Sequence, residues 1–143
     1  MQIGGTGIME INSTSVVLAT LAQFVIGAIW YMPIFGNIWG KIHGFDKLSK
    51  AEQKEAQKQM MPLLLVQLII TGVTTYVLAK LLALLPDYSA YSLALLIWVG
   101  FFVPVQIAGV LFGGTAPKWV ITKTAILSGG SLCCLLAAAA ILK

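Results

Sequence analysis

The sequence predicts an all-α bundle of four membrane-spanning helices, and three observations predict it. Of 143 residues, 59% are hydrophobic and only 10% charged, against about 25% charged in an ordinary soluble domain. The apolar residues gather into four long stretches, each near the roughly 20 residues that a helix needs to cross a bilayer core of about 30 Å. Proline, glycine and lysine stand between them. These residues end helices or hold a chain at the lipid–water boundary.

Residues 1–13 read as a tail before a single domain of residues 14–143. The tail is glycine-rich and lacks the basic region of a secretory signal. Gly4-Gly5-Thr6-Gly7 lacks the flanking strand, helix and lysine of a phosphate loop. Asn12-Ser13-Thr14 has the form of a glycosylation sequon, but it abuts the first apolar stretch, where a helix N-cap is expected.

The predicted spans cover residues 14–35, 62–85, 91–112 and 119–142. Pro62 and Pro117 are placed at helix starts, where a missing amide proton costs nothing. Pro86-Asp87 forms a tight turn between the second and third spans. Gly113-Gly114-Thr115-Ala116-Pro117 links the third and fourth. Connections this short make consecutive spans antiparallel neighbours.

The first connection is longer and basic. All nine basic residues of the chain are lysine, and five of them lie between Lys41 and Lys58. Without arginine, the preferred reader of phosphates and base edges, a nucleic-acid surface is not expected. Ser49-Lys50-Ala51-Glu52 has the form of a capping box, and strong helix formers follow it. A basic amphipathic helix is expected between spans 1 and 2, either lying on the membrane or extending the second span. Lys47, Lys50, Lys54 and Lys58 are its candidate contacts to membrane lipid or a partner protein. The lysine bias places this loop in the cytoplasm and both termini outside.

Inside the spans stand small and polar residues: Thr20, Gln23, Gly27 and Tyr31 in the first; Gln67, Thr71, Thr74 and Thr75 in the second. Gln106, Gly109 and Gly113 follow in the third, and Thr124, Ser128 and Ser131 in the fourth. Such groups bridge helices or line a path. Counting about 1.5 Å per residue brings Tyr31, Gln67, Gln106 and Lys123 to one level, a candidate polar layer for an anion or a polar headgroup. No Asp, Glu or His falls inside a span, so carboxylate-driven proton exchange is not expected. No nucleophile–base pair or metal cluster is seen; no catalytic residue, metal or cofactor is expected, and the protein reads as a non-enzyme.

Two further features concern packing. The adjacent Cys133 and Cys134 read as small buried packing residues. Gly130, Cys134 and the run Ala137–Ala140 offer a small-residue face on which helices approach closely, within the monomer or between copies. A homo-oligomer, with a dimer favoured, is expected. Trp30-Tyr31-Met32-Pro33 also parallels Phe101-Phe102-Val103-Pro104, as if two helical hairpins were parallel repeats.

The stretch Gly27-Ala28-Ile29-Trp30-Tyr31-Met32-Pro33-Ile34-Phe35-Gly36-Asn37-Ile38-Trp39, with Trp98-Val99-Gly100-Phe101 later, resembles the bacterial membrane family catalogued as domain of unknown function 1761. The likeness covers the chain from about residue 15 onward. It implies four helices in a bacterial inner membrane and no particular reaction. Trp30, Tyr31 and Trp39 suit the interface, while Pro33 and Gly36 set the angle at which the chain leaves it. The function expected first is an oligomeric permease or channel for a small polar or anionic solute; the alternative is a non-enzymatic scaffold or accessory subunit binding lipid or a partner protein through its basic loop.

Overall fold

The computed structural model describes residues 10–143; the glycine-rich tail up to Met9, including Gly4-Gly5-Thr6-Gly7, lies outside the described residues. Among the described residues every regular element is helical. Four helical runs are long and apolar enough to cross a membrane: Ser13–Ile34, Lys50–Leu84, Ala90–Phe112 and Pro117–Leu142.

The first run is α1 (Ser13–Ile29) followed by a π-helical segment, Trp30–Ile34. Asn12 is its N-cap, accepting from the Ser15 amide at 3.2 Å, so the sequon serves as a cap. After a break at Phe35 comes the short helix α2 (Gly36–Ile42). Gly44 then turns the chain at φ 73°, a left-handed conformation that costs glycine little.

The second run, α3 (Lys50–Leu84), is one continuous helix of 35 residues. Its start is the expected capping box: the Glu52 amide donates to Ser49 Oγ at 3.2 Å, and the Ser49 amide donates to Glu52 Oε2 at 2.8 Å. Lys50, Lys54 and Lys58 thus lie in the first turns of α3 itself. Pro62 does not open the helix, as its position in the sequence suggested, but lies inside it. Nucleation at Ser49 sets the start. The proline forfeits one backbone bond, to the Lys58 carbonyl, near the membrane surface where water can take its place. At about 1.5 Å per residue the helix is some 52 Å long, so roughly 20 Å projects beyond a 30 Å core.

The third run is interrupted as the first is. It comprises α4 (Ala90–Ile97), a π segment Trp98–Phe102, and α5 (Val103–Phe112). The last run opens with a turn of 3₁₀ helix, Pro117–Trp119, and continues as α6 (Val120–Leu142).

The hub of the bundle is α6. The first and third runs both pack along it, and α3 packs on α1. Spans 2 and 3 meet mainly near their connecting turn; α3 otherwise faces outward. Apolar side chains cover that outer surface, among them Leu65, Ile69 and Val73, as lipid-facing helices require. The tightest packing lies toward the chain ends, where Ala19, Leu78, Leu93, Ala94, Leu135, Ala138 and Ala139 form one cluster. The small-residue face of α6 is spent here: Gly130, Ala138 and Ala139 are buried inside the monomer. Cys133 is a correction to the sequence reading. It faces outward, and only Cys134 turns partly inward, because neighbours on a helix point about 100° apart.

The capping box carries a pH signature. Hydrogen bonds from the Ser49 backbone and side chain hold the Glu52 carboxyl below the usual glutamate range. A lowered folded-state pKa stabilises the first turn of α3 above the ordinary value, and this is lost as pH falls through the folded pKa. NMR titration of Glu52 is expected to give a depressed midpoint, which Ser49→Ala returns toward normal.

Candidate functional site

The polar residues inside the spans converge on the middle of α6. The indole Nε1–H of Trp30 donates to the Ile126 carbonyl at 2.9 Å. The indole Nε1–H of Trp98 donates to the Ser128 carbonyl at 2.8 Å and to Ser131 Oγ at 3.1 Å. Between them the Gln106 amide reaches the Leu127 carbonyl at a longer 3.4 Å. Gln106 Oε1 accepts from Ser128 and Ser131 Oγ at 3.2 and 3.3 Å. Three successive carbonyls of α6 thus take a side-chain donor on their second lone pair.

Both tryptophans are placed by π segments. The Trp30 carbonyl accepts from the Phe35 amide and the Trp98 carbonyl from the Val103 amide, five residues on in each case. The wider turn follows from proline. Pro33 lies inside the first π segment and Pro104 just after the second; each lacks a donor and crowds the carbonyl four residues back. The repeat seen in the sequence is therefore shifted by three residues: Trp30 corresponds to Trp98, not to Phe101.

Glycine admits the first indole. A Cβ on Gly129 would stand 2.9 Å from Trp30 Cζ2, and one on Gly130 would stand 2.9 Å from Trp30 Nε1 and 3.4 Å from the Tyr31 hydroxyl. Below the indoles a second polar chain joins α1 to α3. Gln23 Nε2 donates to Thr75 Oγ1 at 2.6 Å and to the Ala19 carbonyl at 3.0 Å, and Thr75 Oγ1 donates to the Thr71 carbonyl. Both side chains are buried. Cys134 Sγ–H points to the Gln23 carbonyl at 3.6 Å, tying this chain to α6. Among the described residues, the one buried side-chain polar atom without a partner is Thr115 Oγ1, in the loop before α6.

The four residues expected to share one layer separate. Tyr31 packs edge-on against Trp39 at 4.8 Å between ring centroids, and Lys123 Nζ sits 5.8 Å from the same Trp39 ring. These two meet through Trp39. Gln106 is on the other flank of α6, with the serines. Gln67 faces outward on α3 and bonds only within its own helix, its side-chain amide to Thr71 Oγ1 at 3.3 Å. Depth along the helix axis put Gln67 at the right level; its rotation about the axis puts it on the wrong face. Trp30 was read as an interfacial ring and Trp98 only as part of the family motif. Their indoles are instead helix-to-helix donors, a role carried in the sequence by the recurrence of Trp with a nearby proline.

Of the interfacial motif, Trp30 packs on Phe35 at 4.7 Å and Trp39 on His43 at 4.5 Å, and Gly36 approaches the Tyr31 carbonyl. The basic candidates Lys47, Lys50, Lys54 and Lys58 all face outward. Two cavities lie at opposite ends of the bundle. One, of about 460 Å³, is bounded by Glu10, Val16, Tyr76 and Lys80. The other, of about 390 Å³, is bounded by Lys41, Asp46, Lys47, Lys118 and Trp119. Neither includes Gln67 or Gln106.

Fold and polar core together define a four-helix architecture suited to crossing a bilayer, its buried polar groups bonded between helices. The profile of a family described as "Protein of unknown function (DUF1761)" matches residues 14–143, and the chain belongs to that family. No curated protein and no solved structure matches the chain.

The fit between Trp30 and α6 gives a direct test. Gly130→Ala forces the indole away and is expected to destabilise the fold by about 1–3 kcal/mol. Gly109→Ala, where a Cβ meets nothing within 4 Å, is expected to stay within about 0.5 kcal/mol. Thermal unfolding in detergent distinguishes them.

Proposed function

We infer that this protein is a non-enzymatic membrane scaffold or accessory subunit, acting through the lysine-bearing extension of its second span. The observation that carries this reading is the use made of the intramembrane polar groups. Gln23, Thr75, Trp30, Trp98, Gln106, Ser128 and Ser131 are engaged with one another or with backbone carbonyls. A permeation path needs polar groups free to exchange partners with a solute. The permease or channel reading keeps the count of polar residues in its favour, but Gln106 is already bonded to α6 and Gln67 to its own helix.

The extension supports the alternative. Lys50, Lys54 and Lys58 follow at four-residue steps, which places them on one face of a helix. That face stands clear of the bundle and suits anionic headgroups or an acidic partner. By the lysine bias this end lies in the cytoplasm and both termini outside, in a bacterial inner membrane. A homodimer remains part of the proposal. Its contact is to be sought on the outward face of α3, since the small-residue face of α6 is occupied.

Cysteine labelling in proteoliposomes tests the reading. In a Cys133→Ala/Cys134→Ala background, Gln106→Cys is expected to resist a membrane-impermeant maleimide while Lys54→Cys reacts fully. Rapid labelling of Gln106→Cys from either side would reveal a water path and favour permeation. Neutralisation of Lys50, Lys54 and Lys58 by glutamine is expected to weaken salt-sensitive association at this face by about a hundredfold, at about 1 kcal/mol per lysine.

A further inference from the structure

The lysine-rich end of the molecule also holds a feature separate from the α3 extension. Two loops far apart in sequence border the open surface cavity of about 390 Å³. From the first connection come Lys41, Ile42, Gly44, Asp46 and Lys47; from the third come Ala116, Lys118 and Trp119. Each loop owes its course to a glycine in the left-handed region, Gly44 at φ 73° and Gly114 at φ 77°. The Gly44 turn folds Lys47 back toward Lys41. The turn at Gly114, followed by the 3₁₀ turn at Pro117, leads into Lys118, which lines the same cavity.

We propose that this cavity is a binding site for one phosphate group at the membrane surface. Three lysines and one aspartate line it, so the cavity carries a net positive charge. Lysine ammonium groups recognise phosphate as point charges and need no fixed fork geometry. Ile42 and Trp119 give the cavity an apolar wall, and the Lys118 Nζ lies 5.6 Å from the Trp119 ring centroid, within cation–π reach. Trp119 opens the last span, the depth at which tryptophan anchors a protein to headgroups. A basic pocket between span ends at this level fits the phosphate of an anionic phospholipid, and the same chemistry admits a free phosphate from the aqueous side. Asp46 limits the affinity and excludes more highly charged clusters. The site does not depend on the α3 extension: Lys50, Lys54 and Lys58 do not bound it.

The test uses the full chain in phosphatidylcholine nanodiscs titrated with phosphatidic acid, bound lipid being counted by native mass spectrometry. A parallel arm in detergent uses inorganic phosphate. One saturable lipid per chain is expected. Each lysine contributes about fivefold near an anionic surface, so Lys41→Gln/Lys47→Gln/Lys118→Gln is expected to weaken this binding by about a hundredfold. Lys50→Gln/Lys54→Gln/Lys58→Gln is expected to leave it within about twofold, even if it abolishes the extension's own association. Asp46→Asn is expected to tighten it about fivefold, a gain that misfolding does not produce. Saturable binding of inorganic phosphate with the same lysine dependence assigns the site to a free phosphate; its absence assigns it to the lipid headgroup. Binding that never saturates, that falls equally in both lysine triples, or that is absent in both arms overturns the proposal.

Discussion

The fold depends on one constraint: in a hydrocarbon medium every polar group must find its partner inside the protein. In this chain the partners are found along α6, where the carbonyls of Ile126, Leu127 and Ser128 accept from Trp30, Gln106 and Trp98. These carbonyls already take part in the helix ladder, and their second lone pairs are the attachment points for two neighbouring spans. Lipid is as apolar as the helices it surrounds, so burying more apolar area does little to hold spans together. Directed hydrogen bonds and close approach at Gly129 and Gly130 do it instead.

Much else follows from that arrangement. The two π segments turn Trp30 and Trp98 onto α6 from opposite flanks, making the fourth span the hub and leaving the second outside. α3 is tied in chiefly through Gln23–Thr75 and the close contact of Gly72 with Thr20. A peripheral span fixed at one end can carry a long extension without straining the core, and α3 does so with its lysines. The polar interior is a structural device, its groups bonded between helices.

The spans were legible in the sequence because hydropathy and length decide them. Their observed limits differ little from the expected ones, apart from the start of the second. The caps at Asn12 and Ser49 were legible from local chemistry: Asn12 stands ahead of an apolar run, and Ser49 has Glu52 three residues on to complete a capping box. Pro62 misled because proline marks a helix start only on average. A capping box upstream overrides it when the lost bond faces water.

The site was legible by residue type but not by arrangement. Gln106, Tyr31 and Lys123 were singled out, and each makes a contact between elements. Gln67 was included because depth was counted along the helix while rotation was not. The Trp30 donor was missed because tryptophan near a span end usually marks the interface, and the Trp98 donor because hydropathy does not tell which neighbour a ring inside a span will face. Only the five-residue spacing of the π turns, invisible in hydropathy, swings the ring inward. Cys133 shows the same limit, since two adjacent thiols cannot both face the core of one helix.

The four indole N–H groups report directly on whether the hydrogen-bonded centre of the bundle is dry. In nanodiscs transferred to deuterated buffer, the indole protons of Trp30 and Trp98 are predicted to persist long after those of Trp39 and Trp119 have exchanged. Exchange of Trp30 and Trp98 as fast as Trp119 would mean that water reaches the middle of α6, and the account of a closed, bonded core would be wrong.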